Sequence, residues 1–160
     1  MHYKMRDQIR FKIGKEEKNI QEKWIEIPEG TEHIQMMIEM PEEFRYMAFL
    51  FLEDPKKEIR FQKLLGYGQQ NPGIGKSTKD TTIGGVPGEI YPGTWKIGIG
   101  IFTEYVAQKL GEQTGEIVLT VSDRKDVVSD PIGGECWGEN GLHVSEKSYR
   151  WENVFCPESG

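Results

Sequence analysis

The stretch IQMMIEM, residues 34–40, is the clearest period-two pattern in the chain. Ile34 and every second residue up to Met40 are isoleucine or methionine. Successive side chains of a strand point to opposite faces, so this pattern predicts a half-buried β-strand. His33 falls on the other face of the same strand, and we expect its side chain to point to solvent.

The same alternation recurs along the chain. Residues 46–52, YMAFLFL, differ because they are apolar at successive positions, which predicts a central strand that is buried on both faces. Clusters of proline and glycine, the residues that tight turns favour, separate the segments. We therefore predict an all-β fold, an antiparallel β-sandwich of jelly-roll or immunoglobulin-like type with about eight strands. The other alternating segments are 9–13, 24–27, 59–61, 95–101 and 117–121.

No long helix is predicted. Residues 15–23 are good helix formers with a single apolar residue, Ile20, so we expect a charged loop or an exposed turn of helix there. Residues 104–110 fit two turns of helix or another strand, and the pattern does not decide between them.

The chain has 160 residues, close to the usual size of one domain. Apolar residues become sparse and irregular after residue 122. We predict a β-sandwich domain over residues 1–122 and an irregular tail or linker over 123–160, which either packs on the sandwich or leads to a further domain.

Charge and hydropathy narrow the classes of partner. The net charge is −6, which disfavours nucleic-acid binding, since such binding draws its affinity from basic patches. The sequence has neither a signal-peptide pattern nor an apolar run of the roughly 18 residues that a membrane helix needs. We therefore expect no nucleic-acid or membrane partner and a cytoplasmic location.

The segment NPGIGKST, residues 71–78, resembles part of a phosphate-binding loop. Such a loop needs a glycine five positions before Gly75, where this chain has Gln70, and a helix directly after it. The residues that follow, rich in threonine, glycine and proline, disfavour a helix. We therefore predict a long flexible loop between strands and no nucleotide-binding site.

No catalytic or metal-binding constellation stands out. The three histidines have no chelating spacing, and the acidic stretch Asp123, Asp126 and Asp130 is more typical of a solvated turn than of a calcium loop. Ser122 and Ser145 lack the context of an activated nucleophile. We predict no catalytic residue, no metal site and no cofactor on this chain. Cys136 and Cys156 are expected to be reduced, with a single disulfide as the alternative and a zinc site with His143 as a remote one.

The tryptophans suggest a ligand-binding alternative. Trp95 falls on an inward-pointing face and should lie in the core. The positions of Trp24, Trp137 and Trp151 are less constrained than that of Trp95, because the alternation at 24–27 is weak and the tail has none. An exposed indole can stack on the apolar face of a sugar. These three residues are the candidate glycan-binding residues, although partial burial against the tail or a loop is the more common fate of tryptophan.

Two segments resemble a known family. GGVPGEIYPGTWKIGIGIF, residues 84–102, and FLFLEDPKKEIR, residues 49–60, are similar to the region that precedes the catalytic domain in metallohydrolases of the PHP type (polymerase and histidinol phosphatase-like), in the group that includes carbaryl hydrolases. The resemblance spans about residues 8–122. It implies a small accessory β-sandwich in front of a domain that uses divalent metals, bound by an HxH motif and further ligands, to hydrolyse phosphoesters or related esters. That motif does not occur in this chain, so no catalytic residue is carried over.

Three functional hypotheses follow. The first is a non-catalytic accessory module whose partner is the catalytic domain of the parent protein or a second subunit. The alternative is a stand-alone ligand-binding module, for example for glycans. A small enzyme with an unrecognised site is the third.

Overall fold

The computed structural model describes residues 5–66, 71–111, 114–125 and 128–133. These residues form antiparallel strands, one short α-helix and two 3-10 turns. The strands are β1 Arg6–Ile13, β2 Ile20–Ile27, β3 Ile34–Glu39, β4 Ala48–Glu53, β5 Ile59–Leu65, β6 Gly73–Ile74, β7 Gly93–Ile101 and β8 Gly115–Ser122; the helix is α1 Thr103–Leu110; the 3-10 turns are Glu42–Phe44 and Thr78–Asp80. The prediction of an all-β fold with about eight strands is confirmed.

The strands form two sheets of four. Sheet A has the order β1-β8-β3-β6 and sheet B the order β2-β7-β4-β5, and all pairs of these strands are antiparallel. The first strand pairs with the eighth, the second with the seventh, the third with the sixth and the fourth with the fifth. The chain is therefore arranged like one long hairpin that has been rolled up, with its pairs placed alternately in the two sheets.

A single hydrophobic cluster contains the inward-facing side chains of both sheets. In β7, Trp95 and Ile97 are fully buried, and in β8 the same is true of Leu119 and Val121. The expectation that Trp95 belongs to the core is confirmed. This cluster holds sheet B against sheet A, so the outward side chains of sheet B point away from the core. The candidate site lies on that outer face.

Two segment predictions are corrected at their boundaries. The apolar run at 46–52 begins its strand at Ala48. Although β4 lies inside sheet B, its inward residues Ala48, Leu50 and Leu52 are buried whereas Phe49 and Phe51 are half-buried. The outward face of β4 is therefore open. Residues 15–23 do not stay a charged loop, because β2 starts at Ile20 and pairs with β7.

Residues 104–110 are helical. Helix α1 starts at Thr103, where the side-chain oxygen of Asn19 accepts hydrogen bonds from the Thr103 backbone N–H (2.9 Å) and from its hydroxyl (3.0 Å). A side-chain oxygen that accepts from a free N–H at the start of a helix stabilises that end. The acceptor comes from a residue far away in sequence, so the local pattern could not decide the element.

His33 is buried, and the expectation that it faces solvent is wrong. Its ring lies beside β6, where a Cβ added at Gly73 or Gly75 would come within 3.0 or 3.1 Å of it. Its Nε2 is hydrogen-bonded to the Gln35 side-chain oxygen at 2.8 Å. The alternation placed His33 and Gln35 on the correct face of the strand, but it did not show that residues 71–75 would pack against them.

The segment 71–85 is packed on the fold and is not a loose loop. Pro72, Gly73 and Gly75 are buried, and the carbonyl of Pro72 accepts from the N–H of Met36 at 2.8 Å. Residues 128–133 secure this segment, since the N–H of Ile132 donates to Thr81 at 2.8 Å. The described part of the predicted tail thus packs on the sandwich, while the boundary at residue 122 stays a prediction.

A candidate binding face on the outside of sheet B

The outward side chains of sheet B form three rows, because the strand register places them side by side. The first row is apolar, the second mixed and the third carries charges. The rows are Ile20, Gly100, Phe49 and Leu64; then Glu22, Gly98, Phe51 and Gln62; then Trp24, Lys96, Glu53 and Ile59. One end of this face can therefore bind apolar groups, and the other end can bind polar groups.

At the apolar end the face forms a pocket with a volume of about 570 Å³. The first row forms its floor, and Phe102 and Tyr105 from the start of α1 and Tyr46 from the turn before β4 form its walls. Phe102 is 73% exposed and Tyr46 is 61% exposed. We call this cavity the apolar pocket.

Tyr46, which forms one wall, has a backbone conformation that is unusual for a bulky residue. Tyr46 has φ of +61°, a conformation that bulky residues rarely adopt. Its N–H donates to the carbonyl of Leu65 at 2.8 Å, and its ring lies so close to Gly66 that a Cβ there would overlap it. The Tyr46 ring is thus fixed against the end of β5.

At the other end, Trp24 lines a second cavity of about 470 Å³, which we call the Trp24 pocket. The Trp24 side chain is 60% exposed. Lys57, Thr94 and Lys96 are also in the lining, so the pocket beside the indole has polar groups. An aromatic platform with polar neighbours is an arrangement that can stack on a sugar and hydrogen-bond its hydroxyl groups.

Lys96 organises the charges of this end. Its Nζ lies 3.1 Å from Glu53 and 3.3 Å from Glu22, and its neighbour across the strand pair is Trp24. The hydrogen bonds that Lys96 donates to the carboxylate of Glu53 and, second, to that of Glu22 raise the pKa of Lys96. The ammonium group therefore stays charged and lies between two carboxylates at the edge of the Trp24 pocket.

The other candidate glycan-binding residues named from the sequence fall in a part of the chain that the structure does not describe. Trp137 and Trp151 lie outside the described residues, as do Cys136, His143, Ser145 and Cys156. Among the residues that the structure describes, no group of three or more His, Cys, Asp or Glu side chains is placed to hold a metal. The described ranges also include no helix long and apolar enough to cross a membrane.

The segment that resembles a phosphate loop has its glycine N–H groups in use. The N–H of Gly73 donates to the Thr82 hydroxyl at 3.0 Å, and that of Gly75 donates to the Thr81 hydroxyl at 3.1 Å. Lys76 lies 3.7 Å from Glu89. These groups support the packing of the loop.

Sequence reasoning missed the apolar pocket. Its lining comes from four separate parts of the chain, and the one local signal was Gly100, a glycine inside a strongly alternating strand. A glycine in a strand interior often marks a close approach of a ligand or another backbone.

A scan against protein-family models and a search of curated proteins found no match to this chain.

Proposed function

We propose that this chain is a non-catalytic binding module, a β-sandwich of the jelly-roll type, and that the outer face of sheet B is its binding surface. The two neighbouring cavities on that face, with Trp24 and Phe102 exposed at their openings, carry this proposal. The strand order, in which the first strand pairs with the last and successive pairs alternate between two sheets, is typical of a jelly roll.

The module is the accessory N-terminal domain of a PHP-type metallohydrolase, with the catalytic domain of that protein or a second subunit as its partner. Support comes from a contact between the two segments that resemble this family. Arg60, in the segment 49–60, donates to the carbonyl of Glu89 at 2.8 Å and to that of Val86 at 3.2 Å, both in the segment 84–102. Its guanidinium also lies 5.4 Å from the ring of Trp95. In this reading the divalent metals and the hydrolytic chemistry belong to the parent enzyme.

This proposal is tested by comparing residues 1–160 alone with the protein encoded by the full reading frame. Hydrolysis of p-nitrophenyl phosphate with added manganese should be absent for residues 1–160 and present for a longer protein that includes a segment with an HxH motif. Manganese-dependent turnover by residues 1–160 would show that the module is catalytic. A reading frame without a metal-binding domain would refute the accessory role.

The Trp24 pocket favours a second candidate function, glycan binding by a stand-alone module. Sugars that stack on Trp24 should change the tryptophan fluorescence in a saturable way, and Trp24→Ala should remove most of that change. Met37→Ala is the control, because Met37 is 41% exposed on β3 in the other sheet. A flat response across a broad set of glycans would eliminate this function.

A further inference from the structure

The apolar pocket has a floor that the packing of the sheet does not explain. Gly98 and Gly100 both face outward from β7, and a strand interior is destabilised by glycine. At Gly98 the ring of Phe51 occupies the space that a Cβ would need, so glycine is required there. At Gly100 an added Cβ would meet nothing within 4 Å. Glycine at position 100 is therefore not needed for folding, and its effect is to deepen the pocket.

The walls of the pocket are formed without a ligand. Tyr46 holds its φ of +61° with its ring against Gly66, and α1, which supplies Tyr105, is anchored at Thr103 by Asn19. Backbone strain at a rigid wall is a feature often associated with binding sites. A ligand would therefore not have to order the backbone of Tyr46 or the start of α1, which favours binding.

The chemistry of the lining limits the class of ligand. Among the residues that the structure describes, no charged side chain contributes to the lining, and the amide oxygen of Asn19 already accepts two hydrogen bonds from Thr103. The rings of Tyr46, Phe49 and Phe102 provide surfaces on which another ring can pack. The volume of about 570 Å³ lies in the range of small-molecule sites. A charged group would lose its hydration here without gaining a partner.

We infer that the apolar pocket binds an uncharged, ring-containing small molecule that packs on the Gly100 floor. This inference rests on the proposed role of the outer face of sheet B as a binding surface, and it adds the class of ligand for one end of that face.

The test uses the neutral fluorescent probe N-phenyl-1-naphthylamine. Its fluorescence should rise in a saturable titration with one site per chain. The neutral compound 2-naphthalenemethanol should displace the probe. Its anionic analogue 2-naphthoate should not, because the pocket offers a charged group no partner. Displacement by both compounds with equal strength would overturn the assignment of an uncharged ligand.

Two variants locate the site. Gly100→Leu fills the floor and should weaken probe binding by about tenfold or more, because its added carbons occupy the space of the ligand. Phe102→Ala removes an exposed wall residue and should weaken binding by about tenfold. Met37→Ala, an exposed substitution on β3 in the other sheet, is the control and should bind the probe like the original chain. Circular dichroism and thermal unfolding should show that Gly100→Leu keeps its fold.

Three results would overturn the inference. They are the absence of saturable probe binding, unchanged binding in a folded Gly100→Leu variant, and a dimer of the original chain that Gly100→Leu converts to monomers. The last result would make a second copy the occupant of the pocket. If the probe fails but glycans or a partner domain still bind the outer face of sheet B, only this inference is refuted; if all of them fail, the proposed function is refuted as well.

Discussion

Arg60 makes one of the contacts between residues 49–60 and 84–102, and its side chain is buried. It is 3% exposed, and its Nη1 lies 3.4 Å from the carboxylate of Asp54, which is 2% exposed. Asp54→Asn keeps an acceptor for the turn at residues 54–58 but removes the countercharge of Arg60. A buried charge that loses its partner destabilises a fold strongly, so we expect the free energy of unfolding to fall by about 3 kcal/mol, measured by urea titration.

The matched control is an exposed ion pair. Arg10 and Glu116 are closer, at 3.0 Å, but their side chains are 55% and 47% exposed. Glu116→Gln should cost less than about 1 kcal/mol, because water and salt screen an exposed pair. Equal losses for the two variants would mean that burial does not determine the strength of the Asp54–Arg60 interaction.

His33 should make stability depend on pH. Burial lowers the pKa of His33; the Gln35 hydrogen bond and Asp80 oppose this shift, and Lys125 adds to it. The unfolded chain takes up a proton near the ordinary value of about 6.5, whereas the folded chain resists until a lower pH. Between these two pKa values the unfolded state binds more protons than the folded state. The contribution of neutral His33 to the free energy of unfolding is therefore fully present above about pH 6.5, and it is lost as the pH falls below that value.

Urea midpoints at about pH 7.5 and about pH 5 should therefore differ, with the lower value in acid. His33→Gln, whose amide can still reach Gln35, should make this difference smaller. An NMR titration of the His33 ring with a midpoint above 6.5 would contradict the argument.

At the scale of the element, β7 offers a comparison within one strand. In Gly98→Ala the new methyl group would overlap the ring of Phe51, and we expect a loss of about 1–2 kcal/mol in the free energy of unfolding. In Gly100→Ala the methyl group enters open space, so the change should stay within about 0.5 kcal/mol or stabilise the chain slightly. Urea unfolding of the two variants measures the difference. Recovery of stability in Gly98→Ala when Phe51 is replaced by Leu would identify the ring as the cause, and equal losses at the two glycines would refute it.

Local patterns were enough to predict most elements, because alternation depends only on neighbouring residues. They predicted strands around residues 9–13, 34–40, 95–101 and 117–121, all of which exist. They failed where distant residues decide the outcome. Gly73 and Gly75 lie against the ring of His33, and Asn19 stabilises the start of α1.

At the scale of the whole molecule, two layers could be predicted but the order of strands could not. The pairing of β1 with β8 joins residues more than a hundred positions apart, and nothing in either strand specifies the other. The candidate site has the same origin. Trp24 was recognisable as a single residue, whereas the apolar pocket exists only after residues near 20, 46, 64 and 102 have been brought together.

The shared core predicts that the two sheets unfold together. Leu119 is fully buried on β8 between Ile9 of β1 and Ile38 of β3, all in sheet A. Leu119→Ala should lower the free energy of unfolding by about 2–5 kcal/mol through lost contacts and a cavity. Since one cluster joins the sheets, a reporter in sheet B should shift by the same amount.

The indole N–H of Trp95 is a suitable reporter, because it lies in sheet B and donates to the carbonyl of Tyr91 at 2.7 Å. Its NMR signal and those of backbone amides in β3 should disappear at one common urea concentration, in the original chain and, at a lower value, in Leu119→Ala. Met37→Ala, an outward substitution in sheet A, should change that midpoint little. If the Trp95 signal kept its original midpoint while the β3 amides of Leu119→Ala were lost earlier, the sheets would be separate cooperative units, and binding on the outside of sheet B would not depend on the packing of sheet A.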